Sequence, residues 1–326
     1  MLIHSMGEQD PNTDMPWKEN YTASDEIAIR DTVIVWPTGI VCGFGVTVDL
    51  NPATGLGGID AMSFCTPTVQ FGIHEGIDHL LALFSRLQIR ATFATPGYFA
   101  SVYPRLISRI ATAGHEIAVN GLAGEDTSNL STTEELRRMR VARQMVADAT
   151  GAKPHGWFSL PRAKDVFATG LTSRDTVRLA QECGFAYYGN GLSDDAPHYW
   201  VTDFENKSAF ITLPYYYHFD DRFFLMFPDE GTGLERPASI LRNWRAEFSA
   251  QYRRGRYFNM TVSPFRSAWG HRLENLSTFL SETARLPGVW FASGNDVATH
   301  WLATHPSDIF LDLQPSIWVD YEGSLS

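Results

Sequence analysis

Three polar residues close apolar runs that read as buried strands. Asp49 follows "GIVCGFGVTV" (39–48), Asn120 ends "HEIAVN" and Ser263 ends "YFNMTVS". At the end of a strand a carboxylate can take a proton from water, and an amide can hold a carbonyl. A hydroxyl there can donate a hydrogen bond or attack as a nucleophile. His74, in "QFGIHEGID", adds the side chain that carries protons most readily near neutral pH, with Glu75 beside it. Each has a plainer reading. Asp49 suits a cap on the Asn51-Pro52 turn, and Asn120 suits a bond to loop backbone. His74 and Glu75 suit the first turn of a helix, whose dipole favours the acid. No G-x-S-x-G elbow surrounds Ser263, which speaks against a serine hydrolase. "GVTVDLNPATGLGG" lacks the spacing of a phosphate cradle.

The elements that position these residues alternate strand with helix. Helical spacing appears in "GIDHLLALFSRL" (76–87), "YPRLISRIATAG" (103–114), "SRDTVRLAQECG" (173–184), 240–255 and 273–286. "STTE" (131–134) reads as a capping box opening a helix that stops at Gly151. Strands are expected at 89–95, 115–120, 155–160, 185–190, 209–215, 257–263 and 288–293. That makes seven or eight mostly parallel strand–helix units, and an incomplete or distorted (β/α) barrel over residues 38–310. An N-terminal arm (1–37) with Trp17 and Trp36, and a C-terminal tail (311–326), flank it. In such barrels chemistry sits at the strand C-terminal ends. Those ends collect Asp49, Thr95, Asn120, Trp157, Phe158, Asn190, Tyr215 and Ser263.

Composition bounds the partners. The chain has 326 residues, 44% of them hydrophobic, and a net charge of −11 without a basic run. Such a surface repels phosphate backbones, so no nucleic-acid partner is expected. Cys42, Cys65 and Cys183 form no metal-binding or disulfide pattern. No run approaches a membrane span, and the N-terminus does not read as a secretory signal. The expectation is a soluble cytoplasmic protein.

The order of "VTVDL", "LFSRLQIRATFATPGYFASVYPRLISRIATAGHEIAVNG", "GAKPHGWFS", "LPYYYHFDDRFF" and "VSPFRSAWGHRLENL" resembles the polysaccharide deacetylase superfamily (NodB homology). "DDAPHYW" and "LPYYYHFDDRFF" point toward its allantoinase and cyclic imide hydrolase branch. The resemblance implies a metal held by an Asp and two His. Leu50 stands at the Asp position, and Asn120 and Gly124 at the His positions. Leucine and glycine side chains have no donor atom, so no metal and no cofactor is expected. The family's base position survives as Asp49. Its Arg is replaced by Phe158 and its catalytic His by Ser263, leaving Arg162 or Arg266 to restore a positive charge.

With the family's catalytic His absent, His74 becomes the candidate proton carrier, beside a segment that the resemblance places near substrate. Glu125 and Asp126 follow the lost His positions and read either as a substitute acid–base pair or as a solvated turn. Asp194 and Asp195 match a family Asp pair, while the following "APHYW" also suits a loop anchor. His115 starts its strand and reads as structural. Trp157, Phe158, Tyr215, Phe265 and Arg266 fall on or beside the rim with Glu75, and an aromatic, nearly uncharged pocket favours a small, flat ligand. The leading expectation is a metal-independent hydrolase of a C–N bond in an amide, cyclic imide or ureide. Asp49 is then the base, Asn120 the carbonyl ligand, and Ser263 or His74 the aid to the departing nitrogen. The alternatives are a lyase or isomerase acting on a small hydrophobic metabolite, and an inactive ligand-binding homologue. The resemblance also implies a homo-oligomer, a dimer or tetramer.

Overall fold

The computed structural model describes residues 31–310, apart from 54, 162–171, 193, 204–205, 207 and 225–235. Most of the arm, with Trp17, the whole C-terminal tail and Arg162 lie outside the described residues. The first strand, β1 (Cys42–Asp49), is buried along its whole length because it separates two cores. Phe44, Val46 and Val48 face a layer of helices. Gly43 and Gly45 face the opposite way, where the Tyr257 ring packs on their bare Cα atoms. A strand covered on both faces reads as a continuous apolar run rather than an alternating one.

The chain then alternates as expected, through α1 (Ile77–Leu87), β2 (Thr92–Thr95), α2 (Pro104–Thr112) and β3 (Glu116–Asn120). It continues with α3 (Thr132–Thr150), β4 (Gly156–Phe158), α4 (Thr176–Glu182) and β5 (Tyr187–Gly191). An antiparallel hairpin of β6 (His198–Asp203) and β7 (Ser208–Pro214) follows. The longer elements after it include α5 (Pro237–Arg254), β8 (Tyr257–Val262), α6 (Gly270–Thr283), β9 (Val289–Phe291) and α7 (Gly294–Thr304). Two expectations need correction. β6 lies where the sequence pattern gives no strand, because strand–helix alternation does not call for an extra edge strand. The start of α3 is half a capping box. Ser131 accepts from the Glu134 amide at 3.3 Å, but the Glu134 carboxylate turns to Arg137 and Arg138 instead of back to the cap.

The strands form one sheet in the order β6-β7-β5-β4-β3-β2-β1-β8, with β9 also paired to β1. All pairings except β6–β7 are parallel, and the sheet curls into a distorted (β/α) half-barrel. Between β7 and β8 side chains bridge the wall where no ladder of backbone bonds runs. Asn259 donates to the Pro214 carbonyl at 2.9 Å, and the Tyr216 hydroxyl to the Tyr257 carbonyl at 3.0 Å. Asp220 makes an isolated backbone bridge with Thr261 above them.

The barrel interior holds an aromatic core that includes Trp36, Phe158, Tyr187, Tyr199, Tyr257 and Trp301. The second core lies between sheet and helices, where Phe44, Phe84, Phe93, Phe258 and Phe279 are fully or almost fully buried. Each such ring contributes roughly 1.5–3 kcal/mol. Trp36 donates to the Gly255 carbonyl at 2.7 Å, fixing the last residues of the arm against the barrel.

Candidate active site

Asp49 and Asn120 end strands two apart in the sheet, and both side chains reach the same point. The Asn120 amide donates to Asp49 Oδ1 at 3.1 Å, while its carbonyl oxygen accepts from the Leu160 amide at 3.1 Å. The Asn51 amide donates to the same Oδ1 at 2.9 Å. The plain reading of Asp49 as a cap on the Asn51 turn therefore holds. The third partner comes from far along the chain. Arg222, on a short helix (Asp221–Phe224) after β7, donates from Nη2 to Asp49 Oδ2. The pair is sealed, with side-chain exposures of 4% and 1%.

Arg222 stands behind two acids that brace the site. Asp220 accepts from the Tyr215 hydroxyl at 2.7 Å and the Arg222 amide at 2.8 Å. Burial pushes the Asp220 carboxyl up to about 6, although the Arg222 and Arg266 charges pull it the other way. Asp221 accepts from the Ser263 amide at 2.6 Å, the Ser267 hydroxyl at 2.7 Å and Arg266 Nη1 at 3.1 Å. Burial raises its pKa as well. Tyr215 is thus linked through Asp220 to the Arg222 backbone, while the Ser263 amide and Arg266 are held by the neighbouring Asp221. "HFDDRFF" carried the signal for Arg222. Three charges set among aromatic residues must pair with one another or with a distant partner if they are buried.

The site is therefore not the nearly uncharged one expected from Phe158 and Ser263. Five ionisable groups (Asp49, Asp220, Asp221, Arg222 and Arg266) line or brace it, all of them buried. Phe158 does enter the interior, beside Asn120 in register, with its ring against Gly189. Trp157 points outward instead and packs on Phe185 at 5.3 Å between centroids, since neighbouring strand residues face opposite ways. Phe265 packs outward against Gly72.

His74 and Glu75 lie apart from the network. Both are exposed on a single π-helical turn, Gly72–Gly76. His74 bonds Gln70 at 3.1 Å and lines a surface hollow of about 620 Å³ with Arg105 and Arg109. The helical pattern through this stretch turns them away from the strand ends. Asp194 and Asp195 are engaged elsewhere too. Asp194 accepts from Arg256 at 2.7 Å, and Asp195 pairs with Arg254 at 2.9 Å and with Arg256. They clamp the start of β8, and the adjoining "APHYW" runs into β6. Glu125 accepts from the Ala123 amide at 2.6 Å and pairs with Arg138 at 3.2 Å, while Asp126 caps the Ser128 amide at 2.8 Å. Both acids belong to a turn, but Glu125 is buried there rather than solvated. His115 is buried under Phe84 and Phe93, as a structural residue would be.

The residues at the family's metal positions do not fit a metal. Leu50 is buried in the core. The Asn120 amide is turned to Asp49, and its oxygen is taken by Leu160. Gly124 has φ +63°, and a Cβ there would collide with the Asn51 side chain, which fills the space a histidine would need. Among the described residues no three His, Cys, Asp or Glu side chains gather as a cage.

Parallel strands whose polar side chains meet at the C-terminal ends make this a (β/α) barrel with a candidate site where such barrels build their chemistry. The polysaccharide deacetylase family model matches residues 66–188, a stretch that holds Asn120 and Phe158 but neither Asp49 nor Arg222. The chain is 23% identical over 262 residues to the peptidoglycan deacetylase of Helicobacter pylori, covering 72% of this chain and 87% of that protein. It is 26% identical over 162 residues to a peptidoglycan deacetylase-like protein of Gibberella zeae, covering 48% and 46%. A putative polysaccharide deacetylase structure from Mycobacterium smegmatis superposes with TM-score 0.72 and 28% identity, over 83% of this chain and 93% of that one. An allantoinase structure superposes with TM-score 0.71 and 22% identity over 83% and 93%, which shows the fold alone. The resemblance to the polysaccharide deacetylase superfamily, a family of hydrolases, is borne out.

Proposed function

We propose that this chain hydrolyses a C–N bond of an amide, cyclic imide or ureide without a resident metal, with Asp49 as the base that activates water. The observation that supports this reading most is the fixed carboxylate of Asp49. It ends β1 on the side where barrel chemistry is built, held by Asn120 and Arg222. A compact substrate suits a centre this closely covered, since Asp49 is only 1% exposed. The relatives' names suggest a second substrate class, the N-acetyl amide of a glycan. A panel of cyclic imides, ureides, aryl amides and N-acetylglucosamine oligomers tests both, read against the Asp49→Asn variant. Turnover by wild type that this variant lacks is the expected result, and no difference on any substrate would sink the proposal.

A second reading is a silent ligand-binding homologue. It is favoured by the bonds that already occupy both Asp49 oxygens. Binding of a panel compound without turnover is the outcome that selects it. We also propose a cytoplasmic homo-oligomer. A single-chain mass by light scattering, both for the whole chain and without residues 1–30, would remove the oligomer.

A further inference from the structure

We infer that Arg222 is itself a catalytic residue, the cation that receives the substrate's carbonyl oxygen. This deepens the hydrolytic reading and rests on it for the reaction, though not for the oxygen site.

Three observations lead there. First, the residues that would hold a Lewis acid are gone, and the family's arginine position is filled by the buried ring of Phe158. A developing oxyanion would need a positive partner from somewhere else. Second, among the described residues Arg222 is the cation in contact with Asp49, through Nη2. Third, its Nε is buried with no hydrogen-bond partner among the described residues. A buried guanidinium N–H without an acceptor is costly, and one that persists beside a carboxylate suits an acceptor that arrives with substrate.

The guanidinium is planar and rigid, so one donor held on Asp49 fixes the direction of the others. An oxygen bound at Nε–H therefore lies a few ångströms from a water held by the carboxylate. That is the spacing an attack on a carbonyl carbon needs.

The step balances without a further reagent. Asp49 takes a proton from water as the water oxygen bonds to the carbonyl carbon. The C=O π pair moves onto oxygen, facing Arg222. When the tetrahedral species collapses, the C=O bond re-forms and the C–N bond breaks. The proton on Asp49 passes to the departing nitrogen, leaving a carboxylic acid and an amine. Asp220 holds the Arg222 backbone amide and so acts as a positioning residue.

The test uses the full chain and two readouts. Acetate, the simplest carboxylate product, is titrated into wild type, Arg222→Gln and Arg222→Lys by calorimetry. The same proteins are assayed on the best substrate of the panel. We expect acetate binding to be lost in Arg222→Gln. We expect Arg222→Lys to lose about 100- to 1000-fold in kcat, since a point charge cannot hold Asp49 and a carbonyl at once. Arg222→Ala, checked for folding by circular dichroism, should regain part of its activity when guanidinium ion is added. Acetate binding that is equal in wild type and Arg222→Gln overturns the inference, whether or not a substrate is found. So does turnover unchanged in Arg222→Lys, which leaves the hydrolase reading intact. If nothing on the panel turns over yet acetate binding depends on Arg222, the hydrolytic reading fails and the oxygen site stands.

Discussion

Arg222 and Asp49 stand 173 residues apart in the chain and form an ion pair buried on both sides. Removing one member leaves the other charge in the interior without a counter-charge. Arg222→Leu should therefore destabilise the protein by about 3–5 kcal/mol. Taking out both charges, as Asp49→Leu with Arg222→Leu, should recover most of that loss. Urea unfolding of the two single variants and the double variant at pH 7 measures the coupling. Strictly additive losses would show that the two charges do not sustain each other.

Metal should play no part in stability or turnover. Chelator ought to leave melting temperature and activity unchanged, because no binding energy is linked to folding. Rebuilding the lost ligand with Gly124→His should unfold the local loop rather than create a site, since φ +63° and the Asn51 side chain both oppose it. One tightly bound zinc, iron or manganese per chain, lost together with function on chelation, would reverse this expectation.

Acid should loosen the fold through His115. Its ring accepts a hydrogen bond from the Ala91 amide at 3.2 Å, and burial lowers its pKa from 6.5 to about 4, with the Arg90 charge adding to the effect. The unfolded chain takes up the proton first as pH falls. This stabilisation is complete above pH 6.5 and is lost between there and pH 4. The full effect is on the order of 3 kcal/mol. His115→Gln should flatten the pH dependence of stability within that window, and a slope equal to wild type would rule the residue out.

Phe158 should matter as filling. Its ring occupies the interior directly over Gly189, where even one added carbon would collide with it. Phe158→Ala should cost about 3–5 kcal/mol through the cavity it leaves. Gly189→Ala should be destabilising alone and less so when combined with Phe158→Ala. Equal losses for Gly189→Ala in both backgrounds would show that the ring is not what excludes the side chain.

The sequence made the scaffold legible because each βα unit carries its own local signal. Gly151, with φ +74°, ends α3 where the pattern said a helix should stop. Asp49 and Asn120 could be placed together by counting strand ends alone. Arg222 could not, since nothing local to "HFDDRFF" says that its partner lies at the end of β1. Asp194 and Asp195 misled for the same reason. A paired acid run looks alike in sequence whether it faces a substrate or the arginines at the start of β8. β6 was missed because an antiparallel edge strand adds to β7 without a helix to announce it.

The seam between β7 and β8 has a consequence for how the molecule breathes. Elsewhere the wall is a ladder, and opening it breaks several backbone bonds in concert. At the seam it is held by the Asn259 amide and the Tyr216 hydroxyl, each on one carbonyl, and by one isolated bridge. Turning two side chains is a smaller event than unzipping a strand. Solvent deuterium should accordingly reach the amides along this edge of β8 before those of β2 and β3. Loosening there would bring water to the inward face of β8, the strand paired with the one that ends in Asp49.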